Sequence, residues 1–107
     1  MTRTKQVNTK FAAKGVVISP ALPAKGETVR LVYRGLLAAN GAQKVYARFG
    51  FGDDWQKAMD YKMMRTAEGF EAALPVAGAA TLNVCFRDSA DNWDNNSGQN
   101  YSFEVSS

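Results

Sequence analysis

The segment Trp93-Asp94-Asn95-Asn96-Ser97-Gly98-Gln99-Asn100-Tyr101 gathers the side chains best suited to binding chemistry in this chain. Amide side chains both donate and accept hydrogen bonds, which suits neutral, hydroxyl-rich ligands. An indole offers an apolar face for the C–H face of a sugar ring and a polar N–H at its edge. Burying Trp93 among Asp91, Asn92, Asp94, Asn95 and Asn96 would draw several polar groups out of water, so a ligand-facing indole is expected rather than a core one. Trp55 has a similar setting, after Gly52-Asp53-Asp54 and before Gln56-Lys57. Its competing reading is a lid over one edge of the core.

The same residues argue against catalysis. The chain has no histidine, so Ser/His and Cys/His nucleophile pairs and the usual zinc ligand sets are absent. Asp53, Asp54, Asp91 and Asp94 resemble glycosidase carboxylates in type only. Such enzymes set two carboxyls across a cleft, and 107 residues leave little room for a deep one. Asp88, Asp91 and Asp94 do not follow the EF-hand spacing; no metal site and no cofactor is assigned, although a looser oxygen cage for calcium is conceivable. Asn95, Asn96 and Asn100 also have a local role open to them, because Asx side chains cap turns and tolerate left-handed backbone. Cys85 is the single cysteine, which rules out an internal disulfide.

Charge is unevenly placed. Arg3, Lys5, Lys10, Lys14 and Lys25 precede the first acidic residue, Glu27, so the net charge of +3 comes from the N-terminal quarter. The remainder is slightly acidic, which does not describe a nucleic-acid surface. Residues 1–14 are expected to be a basic, flexible segment, and 15–107 a single domain. The apolar runs near the N-terminus are too short for a secretion signal or a membrane span. A cytoplasmic protein without nucleic-acid or membrane partners is the resulting expectation.

The elements that must position these residues read as strands. Val29, Leu31 and Tyr33 alternate with Arg30, Val32 and Arg34; Val45, Ala47 and Phe49 alternate with Tyr46 and Arg48. Leu82, Val84 and Phe86 alternate with Asn83, Cys85 and Arg87. Val16 to Ile18 and Tyr101 to Val105 add short strands. Tyr61 to Arg65 and Phe70 to Val76 flank Glu68-Gly69 as a hairpin, and Asn40-Gly41 and Ala77 to Ala79 are turns. The spacing predicts an all-β fold, an immunoglobulin-like antiparallel β-sandwich of about seven strands.

Val45 to Gly50, Asp54-Trp55, Leu82 to Asp88, Trp93 to Asn96 and Asn100-Tyr101 together resemble the starch-binding carbohydrate-binding modules of families 25 and 53, which accompany bacterial amylases and plant starch synthases. The glycogen-binding modules of family 48 are similar more loosely. The resemblance covers about residues 26 to 105. It implies a sandwich that binds α-1,4-glucans, with Trp55 and Trp93 stacking on glucose rings. A histidine usual in the family is replaced here by Arg48, which shares a face with Tyr46 and offers guanidinium donors to sugar hydroxyls. Tyr46, Asp94, Asn95 and Asn96 complete the candidate polar contacts. The implied partner is starch, glycogen or a malto-oligosaccharide, with a glucan-active enzyme as a second candidate. A structural or protein-interaction sandwich using the same aromatic surface is the alternative. Strand alternation places the Trp55 and Trp93 loops at opposite ends of a sandwich, unless the segment Gly50 to Asp60 turns back along a sheet face.

Overall fold

The computed structural model describes residues 6–106. Two antiparallel sheets face each other. One has the order β1 (Asn8–Phe11), β2 (Val16–Ser19), β3 (Thr28–Tyr33), β7 (Gly69–Pro75), β6 (Met64–Thr66). The other has the order β10 (Tyr101–Phe103), β8 (Leu82–Asp88), β4 (Val45–Phe51), β5 (Gln56–Lys62), with β9 (Trp93–Asp94) also paired to β8. A single helical turn, α1 (Leu36–Ala39), follows β3 on the way from the first sheet to the second. The expected all-β antiparallel sandwich is the fold.

Period-two alternation builds the core. Val29, Leu31 and Tyr33 from β3, Val45, Ala47 and Phe49 from β4, and Leu82, Val84 and Phe86 from β8 are all fully buried between the sheets. Removing such side chains from water is the main driving force, about 1.5–3 kcal/mol for each large one. Tyr33 stacks on Phe86 across the interface, with ring centroids 3.9 Å apart.

The strand count differs from about seven for identifiable reasons. Tyr61 to Arg65 is not one strand: Tyr61 and Lys62 end β5 in one sheet, Met63 is buried at the crossing, and Met64 opens β6 in the other. The β6–β7 hairpin does turn at Glu68-Gly69, with Thr66 opposite Gly69. Asn40-Gly41 forms a turn, but it closes α1 rather than joining a hairpin; the Ala42 amide donates to the Leu37 carbonyl at 3.0 Å. Val105 packs on the core beyond the end of β10.

The expected flexible segment at 1–14 lies partly outside the described residues. Within them, Asn8 to Phe11 form an edge strand on β2, and Ala12 to Lys14 form a 3-10 turn. Phe11 is the reason: its ring meets Tyr101 and Phe103 edge-on at 5.1 and 5.4 Å, closing the sandwich between β1 and β10. A charge-rich segment is thus held by one apolar anchor.

Candidate functional site

Inward alternation on β4 and β8 leaves Tyr46, Arg48, Asn83, Cys85 and Arg87 on the outer face of the second sheet. Register brings them into rows. Arg87 lies opposite both Tyr46 and Trp93, so Trp93, Arg87, Tyr46 and Lys62 form one row across β9, β8, β4 and β5. The Arg87 guanidinium stands 4.8 Å from the Tyr46 ring centroid and 5.9 Å from that of Trp93. Cation–π attraction of this kind contributes about 0.5–1 kcal/mol at exposed sites. Asp91 accepts from Arg87 Nη1 at 3.3 Å and steadies it further.

The next row is Cys85, Arg48 and Asp60. Arg48 Nη1 donates to Asp60 Oδ2 at 2.8 Å, on a half-exposed pair. Beneath it Cys85 is buried, and burial pushes its thiol up to about 11, so it stays protonated and unreactive at neutral pH.

Trp55 enters the same face from the far end. Phe49 and Phe51 point inward, so Gly50 points outward, and a Cβ there would lie 3.0–3.1 Å from the Trp55 backbone. The chain therefore folds back over Gly50, as the sequence reading allowed. Lys57 and Trp55 take left-handed φ values of 56° and 53°, and the β4–β5 register shifts between Phe49 and Phe51. This bulge carries the Trp55 backbone over Gly50. Asn83 secures the loop: its Nδ2 donates to the Gly52 carbonyl at 2.7 Å, and its Oδ1 accepts from Ser102 Oγ at 2.8 Å. Trp55 is half-buried; Trp93 is 46% exposed.

The loop carrying Trp93 is built on a buried carboxylate. Asp94 is 6% exposed and accepts from Tyr33 Oη at 2.6 Å and Tyr101 Oη at 2.8 Å. Tyr33 Oη in turn accepts the Leu37 amide at 3.0 Å, so one network ties β9, β3, β10 and α1 together. Burial, and then the hydrogen bond to Asp94, push both phenols well above their ordinary value. Asn96 is also buried; its Nδ2 donates to the Asn100 carbonyl at 3.0 Å and its Oδ1 accepts from Lys14 Nζ. Asp94 and Asn96, expected as ligand contacts, are thus committed to the protein, because a carboxylate and an amide inside the fold require internal partners. Asn95 is exposed; its Oδ1 takes the Gly98 amide at 3.0 Å. Left-handed backbone at Asn96, Ser97, Gly98 and Asn100 completes the turn. Asp88 is similarly occupied, accepting from the Ala90 and Asn92 amides and from Asn92 Nδ2, which together hold its carboxyl below its usual range.

The structure therefore brings Tyr46, Arg48 and Trp93 to one outer face, with the Trp55 backbone over Gly50 at its far end. It places Asn95 on the adjoining loop and Asp94 and Asn96 behind it. Arg87 was missed as a site residue, although its alternation with Phe86 already put it outward; only register shows that it lies between two aromatic rings.

Residues 29–84 match the starch/carbohydrate-binding module (family 53). That stretch includes Tyr46, Arg48 and Trp55 and stops short of Trp93. The chain is also 30% identical over 100 residues to an alpha-amylase of Clostridium acetobutylicum, a match that takes in 91% of this chain and 13% of the amylase. Such a span includes both tryptophans, and the chain corresponds to a small part of that relative's length. No solved structure matches it. An all-β sandwich with an aromatic and polar outer face is the setting in which the family match falls, and it covers more than half of the chain: the protein belongs to the starch/carbohydrate-binding modules of family 53.

Proposed function

We propose that the protein is a non-catalytic module that holds α-1,4-glucan chains on the outer face of the β10-β8-β4-β5 sheet. Trp55 and Trp93 are the stacking residues, and Arg48 and Arg87 supply donors to hydroxyls between them. The observation that carries this reading is the shared face: Trp93 stands in the row of Tyr46 and Arg87, while the Trp55 backbone lies over Gly50. Tyr46 and Gly50 are four residues apart on β4, about 13 Å along the strand. Two indoles set that far apart suit an oligosaccharide and leave a single sugar with only one of them. The intervening Arg48–Asp60 pair presents both a donor and an acceptor group, which matches hydroxyls that do both. Stacking alone contributes modestly on an open face, so one copy is expected to bind weakly and to gain avidity from tandem copies or from a fused or neighbouring glucan-active enzyme. The amylase relative supports such a setting.

Maltoheptaose or β-cyclodextrin titrated against tryptophan fluorescence and calorimetric heat tests the proposal. Trp93→Ala is expected to weaken binding about tenfold, and the double variant Trp55→Ala/Trp93→Ala to abolish it at millimolar sugar. No response of the unaltered protein at millimolar sugar would sink the glucan reading. Binding that survives the double variant would reject this face as the site. Release of reducing ends from the sugar would overturn the non-catalytic assignment.

A further inference from the structure

A groove of about 750 Å³, with Trp93 in its wall, lies between the Trp93 to Ser97 loop, the 3-10 turn at Ala12 to Lys14 and the first residues of α1. That volume falls within the usual range of small-ligand sites, about 300–1,000 Å³. Its walls combine apolar surface with unused hydrogen-bonding groups. Leu36 is 56% exposed at the mouth, and Trp93 forms part of the wall. The Arg34 guanidinium takes part in no hydrogen bond or ion pair among the described residues. Asn95 uses only its Oδ1 internally, which leaves its amide nitrogen for a ligand, and Ser97 presents an exposed hydroxyl.

We infer that this groove is an extension subsite for the same glucan chain, reached by passing over Trp93, with Arg34 as its principal hydrogen-bond donor and Leu36 as its apolar contact. The inference rests on the reading of Trp93 as a glucan-stacking residue. Three features select a neutral polyhydroxylated ligand. The groove's carboxylate, Asp94, is already satisfied by two phenols. Lys14 and Arg34 are the two cations of the lining, but Lys14 already donates to Asn96 and the Asp94 carboxylate in the same wall offsets one of the two charges, so the groove is not a cluster of one sign built for an anion. The free donors stand beside apolar surface, the combination that recognises a sugar's C–H face and its hydroxyls together. Continuity fixes the occupant: Trp93 belongs both to the outer-face row and to the groove wall. A chain resting on the outer face reaches the groove only if it is long enough to cross the indole.

Length dependence and site-resolved binding test this. Maltotriose and maltoheptaose are titrated against the isotopically labelled protein, following backbone amides by NMR, with calorimetry alongside. Maltoheptaose is expected to shift amides of Gly15, Gly35 and Leu36 as well as those of Arg48 and Arg87. Arg34→Ala and Leu36→Ser are each expected to weaken maltoheptaose about fivefold, the scale of one net hydrogen bond or one apolar contact on an open surface. Maltotriose, too short to span both regions, is expected to gain less from either side chain. The subsite is rejected if maltoheptaose shifts only the outer-face amides and both variants bind it as the unaltered protein does. A different failure, no shift anywhere at millimolar sugar, rejects the glucan reading itself and the subsite with it. Both side chains are exposed and outside the core, so unchanged spectra elsewhere identify folded variants.

Discussion

The two tryptophan loops are built by opposite means. Trp93 is carried by side-chain chemistry: a buried carboxylate, two phenols, a helix-turn amide and a buried asparagine hold the residues beside it. Trp55 is carried by backbone conformation: a bulge, two left-handed residues and a close approach to Gly50 aim it, and Asn83 supplies the main side-chain tie. The first arrangement couples the binding residue to the sandwich core, since Tyr33 comes from the opposite sheet. The second ties Trp55 through contacts within one sheet. Loss of the Trp93 anchor is therefore a loss of fold, whereas loss of the Trp55 anchor is a loss of aim.

The sharpest way to break this contrast is Asp94→Ala. Two buried phenols would lose their acceptor, with an expected destabilisation of about 3 kcal/mol by urea unfolding. A change under about 1 kcal/mol would show that the network is not what holds the loop. Gly50→Val acts on the other loop. Its side chain meets the Trp55 backbone, so about 2 kcal/mol is expected together with a changed Trp55 emission spectrum. Unchanged emission would mean that Trp55 is aimed by something other than this contact.

The phenol network also carries a pH signature. Tyr33 and Tyr101 both have values raised above their ordinary 10.0 in the folded protein. The stability they contribute is fully present below pH 10 and is lost as the pH rises above it. Ultraviolet absorbance should show Tyr33 and Tyr101 resisting ionisation until the protein unfolds. Ionisation of Tyr33 or Tyr101 near the ordinary phenol value in folded protein would contradict the network. Asn83→Ala follows in size, at about 1 kcal/mol, and should loosen the Trp55 loop while sparing the Trp93 loop; hydrogen exchange at Gly52 and Gly98 compares the two directly. Asp60→Asn is the smallest. The pair is half-exposed, so its stability effect should stay below about 0.5 kcal/mol, and any larger change in glucan affinity would mark Asp60 as a ligand contact.

Much of the fold was legible because alternation is a local signal. Val29-Leu31-Tyr33, Val45-Ala47-Phe49 and Leu82-Val84-Phe86 face the core as their spacing indicates. Two of the edge strands were not. β1 is basic and depends on Phe11, and β5 is exposed along nearly its whole length, so neither carries an apolar pattern. Of the candidate site, the exposed Trp93 and the turn-forming asparagines were readable from their neighbours. Asp94 was not, because nothing adjacent in the chain shows that Tyr33, 61 residues away, would meet it.

By itself, then, the sequence determined which residues turn inward and that a polar loop would present an indole. Both follow from the two-residue period of a strand and from the cost of burying unpaired polar groups. Tertiary structure alone decided which outward residues become neighbours. Trp93, Arg87 and Tyr46 lie on three strands, and their adjacency depends on register. The same long-range pairing turned Asp94 from a surface candidate into a buried anchor, since a carboxylate enters the interior only where distant donors meet it.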